Sequence, residues 1–323
     1  MALSYEFSIG SVRAKETSLL NAQDIEQLLA CQNSGQLCAA LSDRGVGDGN
    51  TVDEILRDRN KKTWDYLRSV APDFDIFRPF IILNDIHNFK VALKGTMANR
   101  EYRSLMLEPC TVSHETVIEA VERRRMSLLP EFMQKPCDEA YELLAHTGDA
   151  RLGDSVLDSA AMREMLDIAK SFHSQFLKTY FENLVFYANV KTAIRAARAN
   201  AGKDFLDRAL CEVPGFNKKS VTDAAVKGAE YLIDELEKRA DYDCRRAIEE
   251  YKKSPSAFEK FVDNRLIVMA RESCKRASEG AEPVLGYYLG VEAENKVIHI
   301  ISSGIRTQTG AEMIRERLRE IYG

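Results

Sequence analysis

Apolar residues return at three- and four-residue steps along almost the whole chain, the spacing that keeps one face of an α-helix dry. The helices this predicts begin at residues able to cap them. Asn21 precedes "AQDIEQLLA", Asn50 or Thr51 precedes "VDEILRDRNKKTWDYLRSV", Ser113 precedes "HETVIEAVERRR" and Ser220 precedes "VTDAAVKGAEYLIDELEKRA". Each side chain can accept from the orphan N–H groups of a first helical turn. Pro255 after Ser254 and Pro283 after Glu282 fit first-turn positions, and Thr309 with Glu312 offers a capping box. Gly148, Gly202 and Gly304 fall where helical patterns run out, as C-terminal stops do. The one run enriched in β-branched residues, "KVIHIISSG", continues a helical pattern without a break. The pattern predicts an all-α protein.

A second, longer period lies over the helical one. Aligning three stretches on an asparagine gives "FIILNDIHNFKVALK" (80–94), "FENLVFYANVKTAIR" (181–195) and "YYLGVEAENKVIHII" (287–301). Asn88, Asn189 and Asn295 are separated by 101 and 106 residues, and eight positions before each stands an aromatic, Phe80, Phe181 or Tyr287. Positions −8, −4 and 0 share one helical stripe, so the asparagine extends a mostly apolar, core-facing line. A buried carboxamide must satisfy its acceptor and both donors or cost about 1–3 kcal/mol, and one that finds partners can fix the register of its neighbours. These six residues therefore read as structural repeat positions. They divide the chain into three pseudo-symmetric helical repeats at about 1–112, 113–215 and 216–323, with the terminal segments free to pack together.

Composition changes this picture little. The chain of 323 residues exceeds what one hydrophobic core usually serves, and at 45% hydrophobic and 29% charged residues it is built to fold. A net charge of −5 argues against general nucleic-acid binding, which needs a surplus of Lys and Arg on one face. The densest basic cluster, Arg123-Arg124-Arg125, reads as a solvated helix face. Seven scattered cysteines without a C-x-x-C pair point to reduced thiols in a cytosolic setting, and no apolar run approaches the ~20 residues of a membrane span.

Candidate chemistry is sparse. Asp85 and His87 diverge around their helix, and His87 corresponds to Ala188 and Glu294 in the other copies, so the repeats share no histidine-centred reaction. No metal-ligand spacing, nucleophile elbow or cofactor motif is apparent, so no catalytic, metal or cofactor-binding residue is assigned. The stretch "DRGVGDGN" (43–50) lacks the Lys-Ser/Thr of a P-loop and follows a helix, which makes it an inter-helix loop.

The C-terminal segment carries a family likeness. Glu282-Pro283, Tyr287-Tyr288, Glu292, Asn295, Ile298, Ile300-Ile301, Gly304 and the run Ile314-Arg315-Glu316-Arg317-Leu318 resemble the end of the C subunit (d subunit in eukaryotes) of rotary V/A-type ATPases. Arg13 with Leu19-Leu20 looks like that family's N-terminal stretch, "NDIHNFKVALK" like its first Asp-x-x-Asn helix, and "ANVKTAIRAARA" like the middle copy. Phe186 departs from the acid that many relatives carry three residues before the asparagine. The resemblance implies a funnel of three helical units without an active site. Its partners would be the central-stalk subunits and the membrane proteolipid ring, on the cytoplasmic side, and the complex would move protons or sodium in exchange for ATP hydrolysis or synthesis. The alternative reading is a free-standing helical-repeat scaffold for cytosolic partners.

Overall fold

A computed structural model describes residues 4–148, 150–238 and 242–323. Among them lie sixteen α-helices and no strand; an isolated bridge joins Val213 to Phe216. The helices are α1 (Tyr5–Glu16), α2 (Ala22–Leu29), α3 (Ser34–Asp43), α4 (Val52–Val70), α5 (Arg78–Ala98), α6 (His114–Glu122), α7 (Glu131–Thr147) and α8 (Ala150–Ser171). They continue with α9 (Gln175–Arg198), α10 (Lys203–Ala209), α11 (Lys218–Val226), α12 (Ala229–Glu237), α13 (Tyr242–Lys253), α14 (Pro255–Cys274), α15 (Glu282–Arg306) and α16 (Ala311–Arg317). The all-α reading holds.

Most helix starts follow from their caps. Asn21 and Thr51 each close a capping box, with Asp24 and Glu54 respectively, and Ser113 accepts from the Thr116 N–H. Pro255 opens α14 behind the Ser254 cap, and Pro283 sits in the first turn of α15. Five expectations need correction. Asn217 rather than Ser220 caps α11, taking the Ser220 N–H at 2.9 Å, and the helix expected to run on from there breaks at Gly228, whose φ of +120° no helix admits. Gly202 precedes α10 as its N-cap instead of stopping α9, which ends at Arg198 ahead of Asn200 in a left-handed conformation. Thr309 caps nothing, because α16 begins after Gly310. Gly304 lies inside α15, where a Cβ would stand 2.5 Å from the Ile314 side chain; it is kept small by packing. Gly148, by contrast, does end α7 in a left-handed conformation.

The chain divides into two compact units, Met1–Phe74 with Asp241–Gly323, and Asp75–Ala240. In the first, α15 lies against α1, α3, α4, α14 and α16. Its core joins Leu28, Leu37, Leu41 and Ile55 to Val297, Ile298 and Ile301, so residues from both ends of the chain share one apolar interior. Arg13 helps to hold them together: its guanidinium donates to the carbonyls of Cys274, Lys275 and Ala277 at 2.8, 2.9 and 3.0 Å, satisfying acceptors that the end of α14 leaves open.

In the second unit α8 lies against α5, α7, α9 and α10. Lys90 and Lys94 on α5 pair with Asp158 and Asp154 on α8 at 2.5 and 2.7 Å. The repeat aromatics of the first two copies meet here, with the Phe80 and Phe181 rings 4.8 Å apart. Tyr287, their counterpart in the first unit, packs edge-on against Tyr66 at 5.5 Å.

Candidate functional site

The stretch of α5 that carries Asn84, Asp85, His87 and Asn88 turns its polar groups to the main chain of another segment. Its four side chains hold the irregular segment 105–112 against the helix. His87 Nε2 meets the Leu105 carbonyl at 3.1 Å, and Asn84 donates to the Pro109 carbonyl at 2.8 Å. The carboxylate of Asp85 accepts from the Thr111 and Val112 N–H groups at 2.7 and 3.1 Å and from the Thr111 hydroxyl at 2.6 Å. Asn88 grips Leu107 from both sides, donating to its carbonyl at 3.0 Å and accepting from its N–H at 2.7 Å. A segment without periodic structure must find partners for its buried main chain, and α5 supplies them. His87 and Asp85 serve opposite ends of the strap, as their divergence around the helix requires.

The second copy repeats the central contact. Asn189 on α9 donates to the Cys211 carbonyl at 2.7 Å and accepts from the Cys211 N–H at 3.0 Å. Asn88 and Asn189 are 0% and 1% exposed, so both carboxamides trade water for a matched pair of main-chain groups. Phe186 stands where Asp85 stands in the first copy, and it packs against Phe216 with ring centroids 5.8 Å apart. The acid has been exchanged for apolar packing.

The third copy is built differently. Asn295 is half-buried and, among the described residues, hydrogen-bonds to side chains: it accepts from Arg59 at 2.9 Å and donates to Glu292 at 3.2 Å. The buried centre has moved one residue back, to Glu294, which is 0% exposed. Glu294 accepts from the other Arg59 nitrogen at 2.5 Å and from the Leu20 N–H at 2.7 Å. Burial pushes the Glu294 carboxyl above the usual range, while Arg59 and the Leu20 N–H pull the other way. Arg59 is itself only 8% exposed, so the pair is an interior ion pair. Sequence reasoning missed it; its signal was two acids, Glu292 and Glu294, inside an otherwise uncharged stretch of α15.

Two expectations about α5 and the segment that follows it can be measured. A Cβ on Gly95 would fall inside the Tyr102 side chain, 2.5 Å from its Cγ and 2.6 Å from its Cβ. Alanine gains up to about 1 kcal/mol of helix propensity there, but overpacking costs about 1–3 kcal/mol. Gly95→Ala should therefore lower the urea midpoint, and adding Tyr102→Ala should remove the clash and its penalty. Burial also raises the Asp85 carboxyl above its ordinary value, outweighing the hydrogen bonds that lower it. A carboxyl raised in the folded state binds more protons there than when unfolded, so its contribution weakens as pH rises from the ordinary carboxylate range through the folded value. Asp85→Asn keeps the acceptor for Thr111 and Val112 without the charge. Denaturation of both proteins across that window should show the variant gaining stability relative to wild type as pH rises.

The loop 43–50 offers no anion cradle. The Asp48 N–H donates to Asp58 at 2.9 Å and the Asn50 N–H to Glu54 at 2.7 Å, while the Gly45 and Val46 N–H groups close the end of α3, so most of its donors are already engaged within the protein. Arg123 and Arg125 pair with Glu119, and Arg124 with Asp138 and Glu142; the cluster is exposed as expected, but α6 ends at Glu122 and Arg124 turns left-handed, so it forms a solvated turn and not a helix face. Among the described residues, one group of three side chains could hold a metal ion: Glu108, Cys110 and His114, on the strap and at the start of α6. No helix among the described residues is long and apolar enough to cross a membrane.

The comparison with protein families decides what this arrangement belongs to. The model of the ATP synthase (C/AC39) subunit matches residues 8–317. The chain belongs to that family. It is a subunit of a rotary V/A-type ATPase, an ion-transporting complex. A search of curated proteins finds no match. The residues that bear the family likeness do structural work in this subunit: Arg13 caps α14, Leu20 presents its N–H to Glu294, and Asn88 and Asn189 hold their straps.

Proposed function

We propose that the subunit is the non-catalytic adaptor of the central stalk, joining the rotating stalk to the membrane proteolipid ring. It would pass torque between ATP turnover in the soluble head and proton or sodium movement through the ring, from a peripheral position on the cytoplasmic side. The observation that carries this reading is the family match across nearly the whole chain. Three pseudo-symmetric repeats arranged as a funnel, at about 1–112, 113–215 and 216–323, belong to the same proposal, and the matching grips of Asn88 and Asn189 support the first two.

A torque-bearing part must be stiff. Close-packed interiors transmit strain, and the long helices α5, α9 and α15 are each pinned at mid-length by a polar contact to a distant segment or helix. The test is recovery of a tagged chain from its native cells after mild detergent extraction. The adaptor should bring down stalk subunits and the proteolipid ring, and the purified chain should hydrolyse no ATP. Recovery without the ring, bound to cytosolic proteins, would favour a free-standing scaffold.

A further inference from the structure

We propose that Glu108, Cys110 and His114 form a binding site for a zinc-class divalent cation, one that fastens the strap to the first turn of α6. The site is independent of the adaptor role.

Three different ligand types converge, with all three ligand atoms within 4.8 Å of one another. Glu108 is their centre: one carboxylate oxygen lies 3.4 Å from Cys110 Sγ and the other 3.4 Å from His114 Nε2. Zinc–ligand bonds of about 2.0–2.3 Å in a tetrahedron place neighbouring ligand atoms roughly 3.3–3.7 Å apart, a spacing that both separations from Glu108 already match. Thiolate, imidazole and carboxylate together suit zinc and disfavour magnesium or calcium, which prefer oxygen. One thiolate and one carboxylate would neutralise the dication, leaving a fourth position open.

The frame is held before any ion arrives. Leu107, Pro109 and Thr111 are fixed through their main chains by Asn88, Asn84 and Asp85, while Glu108 and Cys110 alternate between them. His114 is placed by the Ser113 cap of α6. Glu108 is exposed and the other two are half-buried, so an ion can enter from solvent.

Without metal, the Cys110 thiol donates to Glu108, and His114 Nε2 meets the Leu107 carbonyl at 3.1 Å. On binding, the thiol proton leaves to solvent as the metal–sulfur bond forms. The imidazole donates from Nε2–H to the Leu107 carbonyl in the free site; on binding its proton moves through solvent to Nδ1, and the freed Nε2 lone pair takes the metal in place of that contact. No electron is transferred, and one proton is released per ion.

The test uses the full chain, reduced and stripped of metal, titrated with Co2+ as a spectroscopic stand-in and then with Zn2+. One equivalent of Co2+ should give a thiolate charge-transfer band that Zn2+ abolishes. Cys110→Ser should lose the band while keeping the wild-type circular dichroism, and Cys31→Ser should retain it. If Cys110→Ser fails to fold, His114→Ala and Glu108→Gln take its place, each expected to weaken Co2+ binding at least about tenfold. No band in the wild type, an undiminished band in Cys110→Ser, or unchanged affinity in both His114→Ala and Glu108→Gln overturns the site.

Discussion

Replacing Arg59 with methionine should be among the most damaging single changes in the protein, lowering stability by about 3–5 kcal/mol. The loss comes less from the broken contact than from what remains: Glu294, fully buried, keeping the Leu20 N–H but losing the counter-charge bonded to it. A carboxylate in that position escapes by taking up a proton, so the penalty should shrink as pH is lowered. Changing Glu294 to Gln in the same chain removes the stranded charge while preserving an acceptor for Leu20, and should recover most of the loss. Chemical denaturation of the two single variants and the double variant separates these contributions. A double variant as unstable as Arg59→Met would place the cost elsewhere, in the packing of the arginine stem.

Asn189→Leu should follow closely. The leucine fills similar space but abandons two main-chain groups of Cys211, each costing about 1–3 kcal/mol when buried and unpaired. The expected loss is therefore about 2–6 kcal/mol, visible as a clear drop in Tm. Asn88→Leu should behave in the same way at Leu107, whereas Asn295→Leu should cost less, because that asparagine is half-buried and bonded only to side chains. Equal losses at all three positions would contradict the difference between the third copy and the others. His87→Ala removes one contact to the Leu105 carbonyl and should have a small effect.

These contrasts show what a sequence can and cannot expose here. The capping of α2, α4, α6 and α14 was legible because a cap and the turn it serves are neighbours in the chain. The asparagines were legible too, since a carboxamide on an apolar stripe needs partners. Their partners were not: Leu107 and Cys211 lie in aperiodic segments, and nothing local marks a main-chain group as the one to be gripped. Arg59 and Glu294 are 235 residues apart, so only the fold reveals that two charges share one interior. Glu108, Cys110 and His114 escaped for a related reason. Their spacing matches no familiar ligand motif, and α5 shapes the strap that brings them together. The misplaced stops at Gly202 and Gly304 share a cause: glycine also serves at an N-cap and wherever another side chain must come close.

The coupling role is tested most directly in membranes from which this chain alone has been removed. The measurement is ATP-driven ion uptake, before and after the purified chain is added back. The adaptor role predicts that uptake is lost with the chain and returns with it, while Arg59→Met and Asn189→Leu restore it poorly at temperatures where they unfold. Full ATP-driven uptake in membranes that lack the chain would contradict it.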